Sequence, residues 1–142
     1  MTIDAIITLV IGIGTILVAI CAIINSYQNT RLAQAQVEMQ IRERISNARV
    51  RYEDLTIKHG QKTDNDLILA VFKSSEEEFA NAYDEACQKY LDKKVDKIRF
   101  KKSYSNEIKN IVDDSAFSER YKGSQTRFQA TVKVYNKWFK LE

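Results

Sequence analysis

The sequence predicts an all-α protein, in which an N-terminal transmembrane helix continues into a long helix and packs with about three further helices as a small cytoplasmic bundle. Three observations lead there. Ala5–Ile24 reads AIITLVIGIGTILVAICAII, twenty residues without a charge, an amide or a proline. Helix breakers are scarce, with no proline and only four glycines in 142 residues. Beyond the apolar run the chain is rich in charge, yet its apolar residues keep returning every third or fourth position, the period of a helix face.

The apolar run comes first. At 1.5 Å rise per residue it makes a helix of about 30 Å, the thickness of a bilayer's hydrocarbon core. In hydrocarbon a lone segment can pair its own backbone polar groups only as a helix. A cleaved signal peptide would need a basic start, an apolar run of about 7–15 residues and a small residue before the cut. Met1–Asp4 holds no Lys or Arg, the run is longer, and Val18-Ala19-Ile20-Cys21 places bulky Ile20 before the cysteine. The expectation is therefore an anchor, giving a tail over 1–4, a transmembrane helix over 5–24, a helical stalk over 25–36 and a helical domain over 37–142. Basic residues follow the run (Arg31, Arg42, Arg44) and none precedes it. The positive-inside rule then puts the N-terminus outside and the domain in the cytoplasm, at the cell (inner) membrane, with Tyr27 near the interface.

Within the run, Thr8, Gly12, Thr15, Ala19, Ala22 and Ser26 recur at spacings of 4-3-4-3-4. Small residues let membrane helices approach closely, so this face is the candidate seam for self-association or for docking on another membrane protein. No break signal follows it. Val37, Ile41, Ile45, Ala48, Tyr52 and Leu55 form an apolar stripe, with Arg42, Glu43, Arg49, Arg51 and Glu53 on other faces. One long helix should run to about His59, where Lys58-His59-Gly60 is a C-terminal stop.

Thr63, with Asp66 three residues on, is expected to open the second helix as a capping box. Its stripe is Ile68, Phe72, Phe79, Ala82, Ala86 and Tyr90; Leu67–Phe72, apolar all round, should be the most buried part, and Ser75 with Glu78 would restart the helix after a kink. A third helix is expected over about Val95–Asp113, carrying Phe100, Tyr104, Ile108 and Ile111. Ser115–Ser124, with Gly123, reads as a connection. The last helix should span Gln125–Phe139 and bury Phe128, Val132, Tyr135 and Phe139, widened by Val134, Trp138 and Leu141.

From Arg31 onward the chain carries 22 − 18 = +4, an excess too mild to indicate nucleic acid by itself. The basic residues concentrate in Lys93, Lys94, Lys97, Arg99, Lys101 and Lys102. Beside an anchor such a cluster is a candidate for contact with anionic membrane lipid. The plainer reading is a solvated helix face balanced by Glu76-Glu77-Glu78 and Asp92. Nucleic acid is disfavoured, since the interleaved Tyr90, Phe100 and Tyr104 fit a core stripe and no strand pattern accompanies them.

Catalytic chemistry finds little support. His59 is the single histidine, which excludes a multi-histidine metal site and is the one imidazole that could activate Cys87, a residue placed on an apolar face and read as a small core residue. Cys21 and Cys87 fall in different segments and form no disulfide framework. Asp64-Asn65-Asp66 and Asp113-Asp114 miss EF-hand spacing, and no P-loop, dinucleotide, serine-elbow or zinc pattern occurs. No cofactor, metal site or catalytic residue is expected, and the chain reads as a non-enzymatic interaction protein, an adaptor or assembly subunit of a membrane complex with a protein partner. The alternative is a membrane-acting effector of phage or defence origin that perturbs the bilayer on oligomerising.

The segments NARVRYEDL (Asn47–Leu55) and EEEFANAYDEACQKYL (Glu76–Leu91), set behind a single N-terminal span, give a layout that resembles small bacterial and phage-encoded single-span proteins of uncharacterised function. That resemblance implies a long emergent helix and a compact helical cytoplasmic domain, and it implies no site residues.

Overall fold

The computed structural model describes residues 2–59, 66–122 and 126–140, apart from the side chains of 59, 115 and 116. The described residues form five helices and no strand: α1 (Ile3–His59), α2 (Asp66–Leu91), α3 (Lys97–Asp113), α4 (Ser115–Tyr121) and α5 (Gln129–Phe139). The chain divides into two units, Met1–Ala35 and Gln36–Glu142, and α1 contributes to both. The all-α expectation holds, and the first helix runs unbroken through 57 residues. The expected stop at Gly60, the cap at Thr63, and Gly123 and Leu141 lie outside the described residues.

In the first unit no described residue covers the apolar stretch of the helix. The large apolar side chains from Ile3 to Ile24 are exposed, and the most apolar 18-residue window has a mean hydropathy of 2.9 with none of it buried. Asp4 in the first turn complements the positive end of the helix dipole.

The second unit is a bundle built on α2, which packs most extensively on α5. From α1, Ile41, Ile45 and Ala48 enter the core as their spacing predicts, and Tyr52 packs its ring against Phe72, Phe79 and Phe117 at centroid distances of 5.5, 5.7 and 5.7 Å. From α2 come Phe79, Ala82, Tyr83, Ala86, Cys87 and Tyr90; from α3, Phe100, Ile108 and Ile111. A second aromatic group joins Tyr90, Phe100 and Trp138, with Tyr90 and Phe100 stacked at 5.3 Å.

Four expectations need correction. Leu67–Phe72 is not the most buried part of the unit: Leu67 is 74% exposed, Val71 is exposed, and only Phe72 is buried there, because no described element covers the other sides of this first turn and a half. Helix α2 does not restart at Ser75, whose buried hydroxyl donates to the carbonyl of Phe72 (2.7 Å) and so satisfies itself inside a continuous helix. Ser115–Ser124 is not simply a connection. It holds α4, started by the Asp114 carbonyl, which accepts from Phe117 and Ser118 (3.1 and 2.7 Å) and lets Phe117 and Tyr121 reach the core. Helix α5 begins at Gln129 rather than Gln125; Phe128 and Val134 are buried and Val132, Tyr135 and Trp138 partly buried as expected, but Ala130 and Thr131 are buried as well and Phe139 is exposed.

Candidate interaction surfaces

Polar groups inside the bundle hold helices together. The buried Tyr83 hydroxyl donates to Glu107 Oε2 (2.8 Å) and accepts from Arg49 Nη2 (2.7 Å), and Arg49 also pairs with Glu107 at 3.1 Å, so one phenol ties α1, α2 and α3. Burial pushes the Tyr83 phenol well above its ordinary range and the Glu107 carboxylate adds to it, while Arg49 opposes. Phe128, at the N-cap of α5, has no side chain to cap it; Asp84 of α2 does so from across the bundle, accepting from the Thr131 backbone N–H (2.8 Å) and hydroxyl (3.1 Å). Burial pushes the Cys87 thiol up to about 12, which keeps it protonated and unreactive at neutral pH. Among the described residues no group of His, Cys, Asp or Glu side chains could hold a metal ion. The side chain of His59 lies outside the description. These groups serve packing, and their arrangement offers no nucleophile beside a base.

Two surfaces singled out by the sequence can be placed. On α1, Thr8, Gly12, Thr15, Ala19, Ala22 and Ser26 share one exposed face. The hydroxyls of Thr8 and Thr15 donate back to the carbonyls of Asp4 and Ile11 (2.9 and 2.8 Å), so neither needs a polar surrounding. A Cβ added at Gly12 or Gly14 would meet nothing within 4 Å, so packing inside this chain does not require glycine at either position.

The basic cluster lies where α2 ends and α3 begins. Lys93 and Lys94 form the turn, and Lys97, Arg99, Lys101 and Lys102 follow on α3. The turn is a Schellman motif: the Lys94 N–H donates to the carbonyl of Lys89 (3.0 Å) and the Lys93 N–H to that of Tyr90 (3.2 Å). Lys93 takes the left-handed position of this motif, at φ 61°, where glycine is usual. Asp96 caps α3 by accepting from the N–H groups of Ile98 (3.0 Å) and Arg99 (2.9 Å), and Glu38 of α1 accepts from the Asp96 N–H (3.1 Å). Arg99 leaves the cluster to pair with Glu38 at 2.9 Å. In its place comes a residue that sequence spacing did not link to the cluster: Lys137 of α5, whose Nζ lies 5.8 Å from the Tyr90 ring, with Lys97 at 5.9 Å from the same ring and Lys101 at 5.9 Å from that of Trp138. Ile98, amid these lysines, is 83% exposed.

The acidic run expected to balance this cluster is engaged elsewhere. Glu76 pairs with Arg120 (2.5 Å), Glu77 with Arg127, and Glu78 with Arg51 (2.8 Å). A separate groove of about 500 Å³ runs between α1 and α2 over Val37, Ile41, Ala48, Ala82 and Ala86, crossed by the Arg44–Glu85 ion pair at 3.0 Å.

Compared with protein families, with curated proteins and with solved structures, the chain matches none of them.

Proposed function

We propose that this is a single-pass, membrane-anchored helical protein that acts by binding, as an adaptor or assembly subunit of a membrane complex and not as an enzyme. The observation that carries the reading is the uncovered apolar stretch of α1, whose most apolar window is wholly exposed in a chain whose second unit has a well-packed core of its own. At about 25 cal/mol per Å², so much apolar surface in water is a large cost that a bilayer removes. The Arg49–Tyr83–Glu107 and Asp84–Thr131 groups are engaged in packing and capping, which favours binding over catalysis. The basic residues after the span favour a cytoplasmic domain at the inner membrane with the N-terminus outside.

A membrane-perturbing effector is the second reading, and the small-residue face through Gly12 and Ala19 favours self-association of either kind. The internally bonded hydroxyls of Thr8 and Thr15 speak against a polar pore lining, which keeps the adaptor first.

The test is carbonate extraction of membranes, followed by native mass determination of the intact chain in mild detergent. Release by carbonate would refute the anchor. A stoichiometric foreign subunit supports the adaptor, and a pure homo-oligomer moves the assignment to the effector. If the seam drives association, Gly12→Ile with Ala19→Ile lowers the oligomer size; an unchanged size in both detergent and bilayer refutes that role.

A further inference from the structure

We infer that Lys97, Lys101 and Lys102, which lie beside the exposed side chain of Ile98, form with Lys93, Lys94 and Lys137 a docking surface for the anionic headgroups of the bilayer that holds the anchor. The inference deepens the proposed function and rests on its membrane reading.

Charge is the first argument. Asp92, Asp96 and Glu38 are the carboxylates that hydrogen-bond in and around this turn. Asp96 caps α3, Glu38 serves Arg99 and the Asp96 N–H, and Asp92 accepts from Gln88 Nε2 at 2.9 Å. None of the ion pairs among the described residues takes Lys93, Lys94, Lys97, Lys101, Lys102 or Lys137. Arg99 and Glu38 cancel as an ion pair, and the six lysines against Asp92 and Asp96 leave 6 − 2 = +4, a cationic surface.

Chemistry is the second. A large aliphatic side chain standing out among lysines suits the boundary between headgroups and acyl chains, where apolar insertion and electrostatic attraction add. Nucleic acid would want open aromatic faces for stacking. Here Tyr90 is buried and has Lys97 and Lys137 over its ring, and Trp138 Nε1 donates to the Tyr90 hydroxyl (3.1 Å). Backbone geometry is the third argument. Lys93 holds a left-handed conformation that glycine adopts freely, so a cation stands where the turn alone would favour no side chain.

Trp138, the single tryptophan and a neighbour of Lys101, reports on this surface without labelling. The full chain is placed in nanodiscs of phosphatidylcholine, with or without about 30% phosphatidylglycerol, containing lipid spin-labelled at the headgroup. Trp138 emission is read relative to unlabelled discs. Quenching is expected in anionic discs and not in neutral ones, and it should collapse at about 0.5 M salt. Lys94→Gln with Lys97→Gln, both exposed, should weaken the contact equilibrium about 25-fold, at about fivefold per lysine. Quenching that is absent, or equal in neutral and anionic discs, overturns the inference while leaving the anchor intact. Release of the quenching by a single-stranded oligonucleotide overturns it in favour of nucleic acid. A chain that does not enter the discs at all refutes the anchored reading and this one with it.

Discussion

Lys93→Gly should make the bundle more stable although it deletes a side chain. The residue sits at φ 61°, the left-handed position closing α2, where its Cβ crowds the backbone. That conformation costs an L-residue about 1–2 kcal/mol, and part of the gain on substitution is offset because glycine has more freedom to lose on folding, about 0.5–1 kcal/mol. The net expectation is a stabilisation of about 0.5–1 kcal/mol, or about 2–4 °C in Tm for a helical unit of this size. Thermal unfolding of the full chain in mild detergent, followed through Trp138, measures it. Lys93→Gln is the control that separates backbone from charge, since it removes the cation and keeps the Cβ. If the glutamine variant gains as much as the glycine variant, relief of lysine repulsion is the cause and the backbone argument fails. If the glycine variant is less stable than the wild type, the left-handed lysine contributes packing or pairing that the geometry described above does not contain.

Asp84→Ala leaves the Thr131 N–H and hydroxyl without their acceptor at the start of α5 and should cost about 2 kcal/mol, with Asp84→Asn costing less because it keeps an oxygen; an unchanged urea midpoint would rule out capping from across the bundle. Tyr121 buries a hydroxyl that has no partner among the described residues, so Tyr121→Phe should be neutral or stabilising by up to about 1 kcal/mol, and a clear loss in the same melt would reveal a partner. Alkaline pH should unfold the bundle. Burial raises the Cys87 thiol from 9.0 to about 12, so its contribution is complete below pH 9.0 and falls by about 1.4 kcal/mol per pH unit as pH rises towards 12. Tyr83 and Tyr121, also raised by burial, add to the loss above 10.0. Circular dichroism against pH should show the onset moving upward in Cys87→Ala, and an onset that stays put would assign the alkaline loss to the tyrosines alone.

The parts of the fold legible in the sequence are those where periodicity decides. The Ile41–Ile45–Ala48–Tyr52 stripe fixed the buried face of α1, and the Phe100–Ile108–Ile111 stripe that of α3, because each helix meets the core along one side for several turns. Short elements were not legible. Helix α4 is seven residues long and offers only Phe117 and Tyr121, too few to show a period. The face of α5 was legible in Phe128, Val132, Val134 and Tyr135, but not the burial of Thr131, which is drawn inward by Asp84, 47 positions earlier. The basic surface was half legible. Local spacing marked Lys93–Lys102, but only the fold brings Lys137 to it, takes Arg99 away and directs the acidic run elsewhere. The apolar run was plain from length and composition, and the structure adds that one helix near the N-terminus is long and apolar enough to cross a membrane.

Glu76, Glu77 and Glu78 are neighbours in sequence, yet their ion pairs go to Arg120, Arg127 and Arg51, on α4, on the segment before α5 and on α1. Successive residues of a helix point about 100° apart, so these three carboxylates act like the teeth of an index wheel around α2. A slip of α2 by one position would misalign all three teeth at once. Each pair taken singly adds little to stability at a surface. Their joint effect is to select one rotational setting of the central helix. Exchanging the partners of one tooth, as Glu77→Arg with Arg127→Glu, should keep the setting, while reversing Glu77 alone should loosen it.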